Sequence, residues 1–197
     1  MRLCSLVVTL GLVASTHAGP EDAEVRVRHD AGGAVDCGSG TVVWSEKGVS
    51  RVLTANHVVP DDRWIKVEHA GKSYSGRRLA WDQGLDLACV EVDATLPVAP
   101  IAKADPKAGQ TLAQWGHAKA SVPAIHKTGN VVGFVRMSGY DRLMTTTAVQ
   151  GGDSGCGVFN DAGKLVGVCI ALAGFPGGQH EQCVALADVR KFLRLDE

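Results

Sequence analysis

Aromatic residues are scarce in this 197-residue chain, at 5%. Neither sign of charge is in excess: 20 Lys+Arg stand against 21 Asp+Glu, a formal net charge of −1. A nucleic-acid-binding domain would carry a concentrated basic surplus, so the composition argues against one. Without long charged runs, collagen-like triplets or heptads, the chain is not a disordered tail, a fibre or a coiled coil. No apolar stretch beyond the N-terminus approaches the roughly 20 residues that a membrane-spanning helix needs. Neither a CxxC pair nor an HExxH helix is present, and His180-Glu181-x-Cys183 resembles a metal site only superficially. No metal and no cofactor is implied.

Glycine, by contrast, is abundant at 24 residues, and hydrophobic residues make up 45%. Many short strands joined by tight turns fit that balance. The N-terminus reads separately. Met1-Arg2 precedes an apolar run from Leu3 to Ala14, and Thr16-His17-Ala18 supplies small residues at the positions a signal peptidase reads. Residues 1–18 are therefore expected to be a secretory signal peptide, with a secreted product, extracellular or periplasmic. Cleavage would remove Cys4 and leave Cys37, Cys89, Cys156, Cys169 and Cys183, an odd set that cannot pair fully within one chain.

Strand-like runs follow in two series. The first holds Val25–Arg28, Thr41–Trp44, Arg51–Thr54, Ile65–Glu68, a run near Tyr74, and Leu87–Val92. Pro97, Pro100, Pro106 and Gly109 then mark a connector. The second series holds Thr111–Trp115, Asn130–Arg136, Leu143–Ala148, Gly157–Asn160, Leu165–Leu172 and Val184–Ala187. Asp188 can cap a terminal helix whose face is Val189, Phe192 and Leu193. The expected fold is all-β, two six-stranded antiparallel barrels with a short C-terminal helix. Residues 19–100 form the first barrel and 101–197 the second, together one domain.

Gly151-Gly152-Asp153-Ser154-Gly155 carries the sharpest chemical signal. A serine hydroxyl is a weak nucleophile that needs a base, an orienting group for that base, and backbone N–H donors for the oxyanion. Glycines beside the serine let the Gly152 and Ser154 N–H groups converge as such an oxyanion hole. Alone, the segment could equally be a strand-connecting turn. Two partners decide otherwise. Thr54-Ala55-Asn56-His57-Val58-Val59 places a histidine just past a buried strand, and Gly84-Leu85-Asp86-Leu87-Ala88 places a carboxylate just before another. Each alone would be an ordinary structural residue. Their order, His57…Asp86…Ser154, is that of chymotrypsin and not of subtilisins or α/β-hydrolases. It also excludes an esterase of the G-x-S-x-G type, since Cys156 occupies the second glycine position.

From about Cys37 to Leu193 the chain resembles the trypsin-like serine peptidases, specifically the Deg/HtrA-type peptidase domain. Gly38-Ser39-Gly40-Thr41-Val42-Val43, Thr54–Val59, Asp86-Leu87-Ala88, Gly152-Asp153-Ser154-Gly155 and Lys164-Leu165-Val166-Gly167-Val168 are similar to its motifs. The resemblance implies two perpendicular barrels with the active site between them, and peptide hydrolysis through an acyl-enzyme. His57 would be the general base, Asp86 its orienting carboxylate and Ser154 the nucleophile. It also places the substrate pocket at Ala148, Val149, Cys169, Ile170, Ala171 and Cys183, where the absence of a carboxylate favours a small or medium apolar P1 side chain. Departures are clear. Val58 replaces the cysteine that would pair with Cys37, no activation cleavage site lies upstream, and the partner of Asp153 is not evident. Ending at Glu197 leaves no room for a PDZ domain. The rival reading is a catalytically inactive binding module on the same fold, which an intact triad disfavours.

The other residues read as structural. Cys156, Cys169 and Cys183 are either buried thiols or contain one bridge. His29, His69, His117 and His126 are expected at the surface or in loops. Trp44, Trp64, Trp81 and Trp115 are expected to pack core edges.

Overall fold

The structure, a computed structural model, describes residues 19–30, 35–175 and 178–195; the expected signal peptide lies outside them. Two closed barrels of six antiparallel strands make up the molecule. The first consists of β1 (Glu24–Asp30), β2 (Val35–Glu46), β3 (Val49–Ala55), β4 (Ile65–His69), β5 (Lys72–Asp82) and β6 (Leu87–Val92). Its order around the barrel is β1-β2-β3-β6-β5-β4, closed by pairing of β1 with β4. The second consists of β7 (Thr111–Gly116), β8 (Ile125–Met137), β9 (Tyr140–Thr145), β10 (Gly157–Phe159), β11 (Leu165–Phe175) and β12 (Gly178–Ala185). Its order is β10-β11-β12-β9-β8-β7, closed by β10 with β7.

Alternation explains the elements. In β4, Ile65 and Val67 point inward and Lys66 between them outward. β6 is apolar at almost every position because it is paired on both edges, by β3 and β5, and buried on both faces. Closing both sheets removes the free edges that strands of this composition would otherwise expose. The helix α1 (Leu186–Phe192) begins directly off β12, three residues earlier than a cap at Asp188 would place it. Asp188 therefore sits in the first turn, where its charge suits the helix dipole, and the N-cap position is Ala185. Among the described residues no helix is long and apolar enough to cross a membrane.

The larger apolar core fills the first barrel and continues to Phe159, Leu165, Val168, Ile170, Val184 and the α1 residue Val189. Residues 93–110 cross from barrel to barrel and are stitched down on the way. Ala99 N–H donates to Val42 O, and Leu165 N–H to Pro100 O. The tightest seam lies at Ser39. Its N–H donates to Ser154 O (2.8 Å) and its C=O accepts from Thr54 Oγ1 (2.7 Å). Its hydroxyl donates to Gly152 O (2.8 Å) and accepts from His117 N–H (2.8 Å). Ser39 is fully buried. Replacing it by alanine leaves His117 N–H and Gly152 C=O unpaired without water. Urea titration of Ser39→Ala should show a loss of about 1–3 kcal/mol in unfolding free energy.

Candidate active site

β3 ends at Ala55, and a single 3₁₀ turn, Asn56–Val58, lifts His57 off the end of the strand. Asp86 stands immediately before β6, the neighbouring strand. Three hydrogen bonds hold the two segments together. Asp86 Oδ2 accepts from His57 Nδ1 (2.7 Å), Asp86 Oδ1 from His57 N–H (2.9 Å), and Asp86 O from Asn56 N–H (3.1 Å). Nδ1 is therefore the protonated nitrogen and Nε2 is left free to accept a proton. The Asp86 carboxylate holds the His57 pKa above its ordinary value, outweighing partial burial, which acts to lower it. Half of the imidazole remains exposed, with a side-chain exposure of 49%. Asp86 itself has φ +60°, a left-handed conformation uncommon for a residue with a side chain. Arg142, nearly buried on β9, reaches across from the second barrel to hold that turn, donating to Leu85 O (2.8 Å) and Gly84 O (2.9 Å).

Ser154 lies in the loop between β9 and β10. The loop is bound to the first barrel by Ser39, and the backbone of Gly155 abuts Thr54 and Ala55, the residues leading into the His57 turn. A side chain at Gly155 would collide with Ser39 O. Upstream, Gly151 O accepts from Lys119 N–H (2.7 Å). Because a trans peptide points its C=O and N–H in opposite directions, this bond turns Gly152 N–H away from Lys119. Gly152 has φ +100°, and a Cβ there would strike His117 O, so the conformation requires glycine. Asp153 N–H is consumed by Gln150 O (3.0 Å). The Gly152 and Ser154 N–H groups find no protein acceptor among the described residues. Two free donors flanking a serine are what an oxyanion hole needs.

Beside Ser154 is a small cavity of about 140 Å³ lined by Val149, Gln150, Gly151, Cys169, Ala171 and Leu172. Of the pocket residues named from sequence, Val149, Cys169 and Ala171 are in this lining. Ala148 is exposed to solvent, Ile170 turns into the larger core, and Cys183 is buried opposite Cys169 on β12. Gln150, at the end of the stretch 147–150 that the resemblance implies as pocket floor, is also in the lining, and Gly151 and Leu172 join it without having been anticipated.

All five cysteines of the described residues are free thiols. Cys156, Cys169 and Glu181 place their polar atoms within 4.8 Å of one another behind the pocket wall. Burial moves the acidities of all three in the same direction. Despite the hydrogen bond from Cys169, burial pushes the Cys156 thiol up to about 12. The Cys156 hydrogen bond and burial raise Cys169 well above its ordinary value, and burial raises Glu181. Thr145 Oγ1 donates to Glu181 Oε2 (2.5 Å). These thiols are inert packing at neutral pH rather than nucleophiles.

Several residues depart from expectation. His29 is fully buried on β1 with Nε2 against Asp61 Oδ1 (2.8 Å), while His117 lies in the connection after β7 as expected, buried there with Nδ1 against Ser121 O (2.7 Å). Trp64 and Trp81 are 70% and 54% exposed. Cation–π contacts explain why they are tolerated there, with Arg78 lying 4.0 Å over Trp81 and Lys66 5.7 Å over Trp64. The partner of Asp153 is Lys127, on β8.

Residues 38–168 match the family described as the trypsin-like peptidase domain. The chain belongs to that family. It is 28% identical over 142 residues to the serine protease Do-like HtrA of Lactobacillus helveticus, covering 66% of this chain and 34% of that protein. The chain thus spans about a third of that relative. The serine endoprotease from Yersinia pestis superposes with a TM-score of 0.76 at 27% identity, over 91% of this chain and 63% of that one. The active form of the Rv3671c protease from M. tuberculosis gives a TM-score of 0.80 over 89% of this chain and 81% of that one. At 21% identity the second likeness speaks to the fold alone.

A general base must be neutral to work, so with His57 in that role peptide hydrolysis should decline as pH falls through its raised pKa. Asp86→Asn removes the bond that raises it. The acid limb of a kcat/KM profile on a peptide p-nitroanilide should then move to lower pH, with the plateau reduced on the order of 10³–10⁴.

Proposed function

We propose that this chain is a secreted serine endopeptidase that cleaves peptide bonds through an acyl-enzyme. His57 takes the proton of Ser154 Oγ as general base and returns it to the leaving amine as general acid. Asp86 fixes the tautomer of the imidazole and stabilises its charged form. The Gly152 and Ser154 N–H groups receive the oxyanion, an effect on the order of 10²–10³ in rate for one such donor. Attack forms the bond between Oγ and the scissile carbonyl carbon and expels the amine, and water then hydrolyses the ester by the same steps in reverse roles.

The observation that carries this reading is the bidentate His57–Asp86 pair beside a serine loop whose two N–H donors are unused. Membership of the trypsin-like peptidase family supports it, as does a curated relative whose name is that of a serine protease. A small or medium apolar P1 side chain fits a cavity of about 140 Å³ whose lining carries no charge. The leader pattern of residues 1–18 supports export to the periplasm or the medium, and the partners are protein or peptide substrates.

A fluorophosphonate should label the purified protein stoichiometrically, and Ser154→Ala should abolish both labelling and peptide cleavage. Undiminished cleavage by Ser154→Ala ends the proposal, and an unlabelled wild type leaves the binding-module reading in its place. Across a P1 library of peptide p-nitroanilides, valine-, alanine- or leucine-sized residues should be cleaved fastest. Preference for arginine or glutamate would overturn the pocket assignment.

A further inference from the structure

The residue directly before Ser154 is an aspartate with no exposure to solvent. A buried carboxylate has to be matched by a cation and hydrogen bonds, or the loop that carries it will not stay in place. Lys127 Nζ pairs with Asp153 Oδ2, and Gln150 N–H donates to the same oxygen (2.7 Å). The ammonium is itself largely enclosed, at 13% side-chain exposure. Gly116, on the facing strand β7, leaves the space that the carboxylate fills, since a Cβ there would collide with Asp153 Oδ1. Lys127 lies near the start of β8, opposite Gln114 of β7. The connection between these same two strands supplies Lys119 N–H to Gly151 O and His117 N–H to Ser39 Oγ. One hairpin thus grips the nucleophile loop at Gly151, Gly152 and Asp153.

We propose that Lys127 is the positioning residue of the oxyanion hole, an internal cation that holds Asp153 inward and so sets the Gly152–Ser154 backbone. The charge comes from within the folded barrel, so the loop takes its working shape on folding, without a cleavage that releases a new α-amino group. The proposal rests on the peptidase reading above. Deprived of the ammonium, the Asp153 carboxylate is left with the Gln150 N–H alone, too little to offset burial of its charge. Its exit to water would rotate the peptides on either side, and the Gly152 donor would leave the cleft.

Fluorophosphonate labelling rates, steady-state peptide hydrolysis and thermal midpoints of five proteins test this: wild type, Lys127→Met, Lys127→Arg, Asp153→Asn, and Lys127→Met in an Asp153→Asn background. Labelling of the wild type comes first, because its absence would sink the peptidase reading and not the role of Lys127. Given a labelled wild type, Lys127→Met should label about 10²–10³-fold more slowly. Its loss should lie in kcat, with KM changed by no more than a few fold, and Lys127→Arg should recover most of the rate. In the Asp153→Asn background there is no buried charge to match, so Lys127→Met should cost less than about fivefold relative to Asp153→Asn alone. A single variant that fails to fold but is recovered by Asp153→Asn supports the pair. Wild-type labelling by Lys127→Met overturns the proposal. So does an equal loss in both backgrounds, or failure of both to fold.

Discussion

The two barrels have to meet with the Ser154 loop of one pressed against the histidine strand of the other, and Ser39 is the residue that makes the joint. Every polar group it owns is engaged, and each bond leads to a part of the candidate site. Two go to the Ser154 loop, one to the strand that delivers His57, and one to the hairpin that carries Lys127. A buried serine with all its hydrogen bonds made is a fixed point, since any slippage would leave donors and acceptors dry and unpaired. Gly38, before Ser39, and Gly155, after Ser154, let the two backbones approach without side chains between them.

Around that joint the site is assembled from short-range constraints rather than from one rigid element. Asp86 holds the His57 turn from one side, while Arg142 ties the Asp86 turn to the opposite barrel. The Lys127–Asp153 pair and the Lys119–Gly151 bond hold the serine loop. Sites built between two packed bodies are accurate only if both bodies are pinned to each other near the reacting atoms. Here the pins lie within a few residues of His57, Asp86 and Ser154. That proximity accounts for how a chain with little aromatic packing can hold the site in place.

Much of this was legible in the residues themselves. Alternation and turn glycines gave the strand count and the all-β class, and motif order singled out His57, Asp86 and Ser154. What escaped was what one element does to another. Val25 and Val27 face inward on β1, so the same two-residue period puts His29 inside, yet a histidine there looks like a surface residue until Asp61 is seen against it. Lys127 shares the inward parity of Val131, but β8 begins at Ile125, five residues before the strand expected from Asn130. Its counter-charge lies 26 residues further along the chain, and no local pattern joins them. Gly151 and Leu172 were missed at the pocket because the course of the chain, not strand period, decides what faces a cavity.

The backbone of Asp86 carries one more lesson. A left-handed conformation costs an ordinary L-residue about 1–2 kcal/mol, a cost that glycine escapes and that asparagine and aspartate bear in part. The turn by itself would be best served by glycine and no worse by asparagine. Yet glycine would surrender both carboxylate bonds to His57, and asparagine would surrender the negative charge. Folding and chemistry thus pull this position in opposite directions, and the aspartate is explained by the imidazole it faces rather than by the loop it occupies. Drift toward a silent homologue would begin most easily here, along a path that relaxes the backbone as it removes the charge.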